Sequence, residues 1–142
     1  ELASALSGAY TIAIGLADGL DVGIGIRAVL VTRAISEMTC LGTALGGDAK
    51  TFSGLAGLGN LLVRSSVEND RISPSYQQGL DLVKGQATSK GEGPRAARAG
   101  RRLGRSLGLS LPILETVVRV LAGEVSASEA AALIFETVTE EE

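Results

Sequence analysis

The chain of 142 residues contains no histidine, no tryptophan, one cysteine, one methionine, three prolines and four other aromatic residues. Without histidine, a Ser-His-Asp triad, an imidazole general base and a His-ligated metal site are all excluded. Cys40 stands alone and cannot close an internal disulfide, which points to a reducing compartment and a cytoplasmic protein. An aromatic fraction of 3% means that the core rests on Leu, Ile, Val and Ala, with 19 glycines letting backbones come close. Every apolar run is interrupted by charge or glycine before it is long enough to span a bilayer. A net charge of −3 gives no overall pull toward nucleic acid or an anionic membrane. The length fits one helical domain over residues 1–142. The chain opens at Glu1 inside a helical pattern, which suggests a fragment or a processed product. A plastid or mitochondrial origin after transit-peptide removal is the alternative to the cytoplasm.

What is present is helical spacing, with no sustained strand alternation. Residues 2–16 place Leu2, Leu6, Ile12 and Leu16 among Ala3, Ala5, Ala9 and Ala13, a surface that close neighbours can approach. Gly19, Gly23 and Gly25 break that pattern, and residues 26–45 resume it until Gly46-Gly47. Cys40 is expected on the apolar face of this second helix as an inert core thiol. Asp48 stands as an N-cap before KTFSGLAGLGNLLVR, in which Gly54, Gly57 and Gly59 read as turn and close-packing residues. Residues 65–75 read as a loop ending in Ser73-Pro74, a cap followed by proline at the first helical position, and that helix runs to about Lys84. GQATSKGEG (85–93) reads as a mobile linker, Pro94 as the start of a helix to Leu107, and Pro112 as the start of one ending at Gly123. Ser126 and Glu129 form a capping box for the last helix. The fold class is all-α, and no GxGxxG sits in a strand–helix context.

The order of AIGLADGL (13–20), RAVLVTRAISEM (27–38), ALGGDAKTFSGLAGLGNL (44–61), GEG (91–93) and LGLSLPILETVVRVL (107–121) resembles the C-terminal domain of the NAD(P)-dependent glycerol-3-phosphate dehydrogenases. The resemblance implies an all-helical substrate domain, similar to the C-terminal domain of 6-phosphogluconate dehydrogenase, that works beside an N-terminal dinucleotide-binding domain absent from this chain. It also implies a catalytic lysine followed by asparagine in the first helix; here Ser7 and Gly8 stand there. A catalytic aspartate is implied after GLAGLG, and here the residue is Asn60, which cannot accept a proton. A threonine near the substrate phosphate is implied where Arg64 stands, and a phosphate-binding Ser-Arg-Asn where Ser73-Pro74-Ser75 stand. Arg64 or Arg71 could replace the missing guanidinium, while Glu92 of GEG matches a glutamate near the NAD(P) cofactor. Scaffold positions match and most chemical positions do not.

Each sharp reading has a plainer one beside it. Asn60 suits either a retuned site or a local hydrogen bond, Ser7 either chemistry or small-residue packing, and Arg64 with Arg71 either a phosphate site or solvated charge. Arg95, Arg98, Arg102 and Arg105 recur at spacings of 3, 4 and 3, opposite Ala96, Ala99, Leu103 and Leu107. That stripe is either a solvated face or a docking surface for an acidic partner or a phosphate-bearing one; without interleaved aromatics it does not suit base stacking. Two functions follow: a degenerate domain serving as a structural or interaction module in a larger assembly, or the substrate domain of an active dehydrogenase interconverting dihydroxyacetone phosphate and glycerol 3-phosphate. A homodimer is compatible with either.

Overall fold

A helix that is apolar or small on every side has to be enclosed by others. In the computed structural model, which describes residues 2–67, 71–86 and 89–140, α1 (Leu2–Gly19) is that helix, buried without interruption from Leu6 to Ala17. Around it lie α2 (Ile24–Ala44), α3 (Ala49–Ser53), a π-helical turn (Leu55–Gly59), α4 (Asn60–Arg64), α5 (Pro74–Val83), α6 (Glu92–Ser106), α7 (Pro112–Leu121) and α8 (Ala127–Glu140). No strand occurs among the described residues, in agreement with the all-α expectation. No described helix is long and apolar enough to cross a membrane.

Small residues set how closely the layers pack. Gly15 of α1 and Gly79 of α5 face each other, and a Cβ on Gly79 would stand 2.7 Å from the Gly15 Cα and 2.6 Å from the Leu16 nitrogen. No side chain fits at that crossing. On α6 the buried positions are Gly93, Pro94, Ala97, Gly100 and Gly104. Leu114 and Leu6 press on Gly100, and Leu111 presses on Gly104. The expected apolar face of Leu103 and Leu107 is therefore corrected: both are exposed, because close approach of α6 selects its smallest residues for the interior.

Caps fall where expected. The Asp48 carboxylate accepts the Lys50 N–H at 3.0 Å, and Ser73 Oγ accepts the Tyr76 N–H at 3.3 Å with Pro74 at the start of α5. Ser126 and Glu129 exchange both capping-box hydrogen bonds. Gly46, at φ 93°, ends α2.

The segment after Asp48 turns at its glycines: Gly54 is extended, and the Gly59 N–H reaches the Gly54 carbonyl at 3.0 Å, closing a π-type turn. Two further expectations are corrected. Cys40 is exposed, since α2 buries Leu30, Val31, Ala34, Glu37, Met38, Leu41 and Gly42, a stripe whose helical step carries residue 40 to the far side. Glu92 and Gly93 belong to α6 rather than to a linker, and Pro94 is its third residue, tolerated because first-turn N–H groups have no intrahelical acceptor. Within the expected linker, residues 87–88 lie outside the described residues, as do 68–70 of the expected loop.

Candidate functional site

Ser73 is the joint on which the site is built. Its Oγ donates to the Arg64 carbonyl at 2.8 Å while accepting the Tyr76 N–H, so the end of α4 and the start of α5 are tied by one hydroxyl. A second tie runs through side chains. The Tyr76 hydroxyl donates to Asp18 at 2.6 Å, Arg27 Nε donates to both Asp18 oxygens at 3.0 and 3.1 Å, and Arg27 Nη2 donates to the Ser65 carbonyl. Burial, then the hydrogen bond to Asp18, push the Tyr76 phenol up to about 12. Helices α1, α2, α4 and α5 are held in register by these groups.

Between α4, α5 and the N-terminus of α6 lies a cleft of about 480 Å³, lined by Arg64, Ser75, Gln78, Gly91, Glu92 and Gly93 together with Ser73 and Pro74. Gly8 of α1 packs behind three of these residues. The point where a Cβ on Gly8 would stand is 2.9 Å from Arg64 Nη1, 3.4 Å from Ser75 Oγ and 3.7 Å from the Gly93 Cα. Any side chain at residue 8 would displace the guanidinium. Arg64 is half-buried and donates to Ser4 Oγ at 3.2 Å. A groove of similar size, about 520 Å³, runs between Leu82, Gly85, Ala122 and Ser126. It carries no titratable side chain and is remote in composition from any chemistry.

The residues singled out from sequence separate clearly. Arg64 and Glu92 reach the cleft; Arg71 is exposed and does not line it. Ser7 is fully buried, and its Oγ has no hydrogen-bond partner. Asn60 is partly buried and spends its amide on its own segment, Nδ2 donating to the Ala56 carbonyl at 3.2 Å. Of the arginine stripe, Arg98 donates to the Ser89 carbonyl at 2.9 Å, and Arg105 holds Glu115 at 2.8 Å by two parallel bonds. Arg105 is raised above its ordinary value by the hydrogen bond to Glu115. Arg95 and Arg102 are exposed and have no carboxylate partner among the described residues. No cluster of three potential metal ligands occurs among the described residues.

Sequence reasoning placed Ser75 only through the resemblance, and did not single out Gly8 as the close neighbour of Arg64, Gln78, or the Asp18–Arg27–Tyr76 set as the support of the site. Asp18 and Tyr76 are 58 residues apart, and nothing in local spacing joins them.

Comparison with known proteins follows the same lines. A profile of the NAD-dependent glycerol-3-phosphate dehydrogenase C-terminus matches residues 1–132. The glycerol-3-phosphate dehydrogenase (NAD(P)+) of Polaromonas naphthalenivorans is 39% identical over 144 residues, covering 96% of this chain and 40% of that protein. The enzyme of the same name from Solidesulfovibrio magneticus is 40% identical over 147 residues, covering 98% of this chain and 43% of its own. The crystal structure of glycerol-3-phosphate dehydrogenase from Coxiella burnetii superposes with a TM-score of 0.83 at 29% identity, over 96% of this chain and 43% of that one. The chain thus spans about two fifths of the length of the curated relatives it matches.

Proposed function

This chain belongs to the NAD-dependent glycerol-3-phosphate dehydrogenase family as its C-terminal helical domain, and from that premise we propose that it has lost the family's proton-transfer chemistry and serves as a structural or interaction module. The observation that carries the proposal is Ser7. Its hydroxyl is sealed in the core without a partner, at the position where the resemblance calls for the lysine that protonates the reacting oxygen. A serine hydroxyl is a poor proton donor at neutral pH, and a hydroxyl enclosed by apolar packing cannot relay one to a ligand. Asn60, at the position of the aspartate, is chemically inert toward protons and is already engaged with Ala56. Each such loss costs about 10²- to 10⁴-fold in rate, and here they coincide.

The cofactor tells the same story for this chain alone. NAD(P)+ stands in the names of the matched relatives. A dinucleotide site needs a strand, a glycine-rich turn and a helix, and the described residues contain no strand. Glu92, the one residue the resemblance assigns near that cofactor, is exposed on the first turn of α6. These residues do not make up a dinucleotide site. As an interaction module, the domain offers Arg95 and Arg102 to an acidic partner, while Arg98 and Arg105 are committed to internal bonds.

The test is to fuse the chain to the N-terminal part of a catalytically active relative and to assay reduction of dihydroxyacetone phosphate with NADH and NADPH. The fusion is expected to show no turnover, and Ser7→Lys combined with Asn60→Asp to bring some back. Turnover by the unaltered fusion near the rate of its parent sinks the proposal. For the interaction role, Arg95→Glu with Arg102→Glu should weaken capture of whatever partner the native protein holds while leaving helicity unchanged.

A further inference from the structure

We propose that the outer face of α6 docks on α8 of a second copy of this chain, the arginines of one against the glutamates of the other, in a two-fold pair that makes this contact twice. The proposal deepens the interaction reading above, on which it rests, by naming the partner.

Charge along the chain is divided between two stretches. Residues 92–106 hold five arginines and one glutamate, whereas residues 124–142 hold six glutamates and no lysine or arginine. Each stretch supplies a helix that carries charge on its outer side. On α6 the core takes Gly93, Pro94, Ala97, Gly100 and Gly104, which leaves Arg95 and Arg102 exposed and without a carboxylate partner among the described residues. On α8 the core takes Ala130 and Ile134, which leaves Glu129 and Glu136 exposed. Both pairs are seven residues apart, two helical turns or about 10.5 Å, so the two rows of charge match in pitch.

Basic and acidic ends also lie along one side of the molecule. Arg105 near the end of α6 holds Glu115 of α7 at 2.8 Å, and beyond Glu115 the charge of Glu124 acts on the same guanidinium. Arg119 of α7 reaches Glu124 at 3.6 Å. A row of charged side chains thus runs from α6 across α7 to the turn before α8. Such a surface is complementary to itself: a half-turn about an axis through its middle brings each basic end over an acidic end.

Apolar side chains choose between partners. Leu103 and Leu107 stand 39% and 42% exposed beside the arginines, and Phe135 stands 46% exposed next to Glu136. A phosphate polymer would cover the arginines and leave the leucines wet, and the net charge of −3 repels it. A second copy covers both kinds of group, since each face pairs charge of one sign with an exposed apolar side chain. Exposed ion pairs are individually weak, so the dimer is expected to depend on concentration and on salt.

Sedimentation velocity of the whole chain over a concentration series tests this at about 0.1 M and about 1 M sodium chloride, between which the screening length falls from about 10 to about 3 Å. A monomer–dimer equilibrium is expected, with dimer lost at high salt. Arg95→Glu with Arg102→Glu should weaken it by at least about 10-fold, and Arg95→Lys with Arg102→Lys should largely keep it. Glu129→Gln with Glu136→Lys should weaken it too; glutamine at 129 retains the capping box, and unchanged helicity is the control. An equimolar mixture of the two charge-altered chains should dimerise again, because like charge no longer meets like at either contact. The proposal is overturned if the chain stays monomeric at low salt and high concentration, if dimerisation ignores both sets of substitutions, or if mixing restores nothing. Binding of a single-stranded oligonucleotide or of vesicles containing anionic lipid, in place of self-association, assigns the arginines to phosphate and likewise overturns it. Failure here leaves the loss-of-chemistry reading standing, and turnover by the fused domain leaves the dimer standing, so the two fail separately.

Discussion

Glu37 on α2 caps the distant helix α7: its Oε2 accepts the N–H of Ile113, 76 residues on, at 2.8 Å. The other oxygen accepts the Leu114 N–H at 3.2 Å and the Tyr10 hydroxyl at 2.9 Å. Helix α7 needs this help, because its N-cap is Leu111, which has no side-chain acceptor, and Pro112 supplies no N–H. A carboxylate at a helix N-terminus also meets the positive end of its dipole. One buried acid therefore joins α1, α2 and α7 at a single point.

Replacing Glu37 by Ala should destabilise the chain by about 2–4 kcal/mol, since two backbone donors and a phenol lose their acceptor in the interior. Glu37→Gln keeps one acceptor oxygen and should cost less. Denaturant midpoints at constant slope measure both. A loss for Glu37→Ala within a few tenths of a kcal/mol would mean that water replaces the cap without penalty.

Alkaline pH should unfold this protein sharply, and the sign follows from its two tyrosines. Burial, then the Glu37 charge and hydrogen bond, raise Tyr10 well above its usual value, and Tyr76 is raised to about 12. In the unfolded chain both lose their protons near pH 10. The folded state therefore binds more protons in the window above pH 10. Stability is fully present below that pH and falls as pH rises toward the folded values, with Tyr10 contributing up to about 1.4 kcal/mol per pH unit. Tyrosinate absorbance and helical signal should change together in one transition. Tyr10→Phe should flatten the slope; a tyrosine titrating near pH 10 with the helices intact would refute the assignment.

At the crossing of α1 and α5, Gly79→Ala should be destabilising, although an exposed helical site would gain about 1 kcal/mol from alanine. The added methyl meets the backbone of Leu16 and Gly15 at 2.6 and 2.7 Å, and backbone cannot rotate away. A loss of about 1–3 kcal/mol is expected, with a lower thermal midpoint. An unchanged midpoint would mean that the two helices can separate freely.

How much of this was legible in the sequence depended on whether the cause was local. Asp48, Ser73-Pro74, Gly46 and the Ser126–Glu129 box mark helix ends through bonds within a few residues, and each cap lies where its residue type implies. The all-α class followed from spacing alone. Failures came where a neighbouring helix decided the outcome. Leu103 and Leu107 are exposed because glycines, not leucines, let α6 close on Leu6, Leu111 and Leu114. Cys40 faces outward because Glu37, Met38 and Leu41 fix which side of α2 meets the core. The turn after Asp48 brings the backbone of Gly57 against the Phe52 carbonyl, an approach that only glycine allows there and that periodicity does not show. The positions of Ser7, Asn60 and Arg64 were visible through resemblance. That Ser7 would be sealed and Arg64 drawn over Gly8 was not.

Ser7 supplies the last prediction. A buried hydroxyl without a partner carries a desolvation penalty that its small volume does not offset. Ser7→Ala removes the oxygen, keeps the helix former that α1 prefers, and leaves a void no larger than the lost atom. The substitution should leave stability unchanged or raise it by up to about 1–2 kcal/mol. Ser7→Val, of greater volume in a position already 0% exposed, should lower it. The contrast separates packing from hydrogen bonding, because a serine with a concealed partner would make alanine the costly change. If Ser7→Ala lowers the denaturation midpoint as much as Ser7→Val does, the hydroxyl is bonded in solution. Residue 7 would then be a polar site still in use.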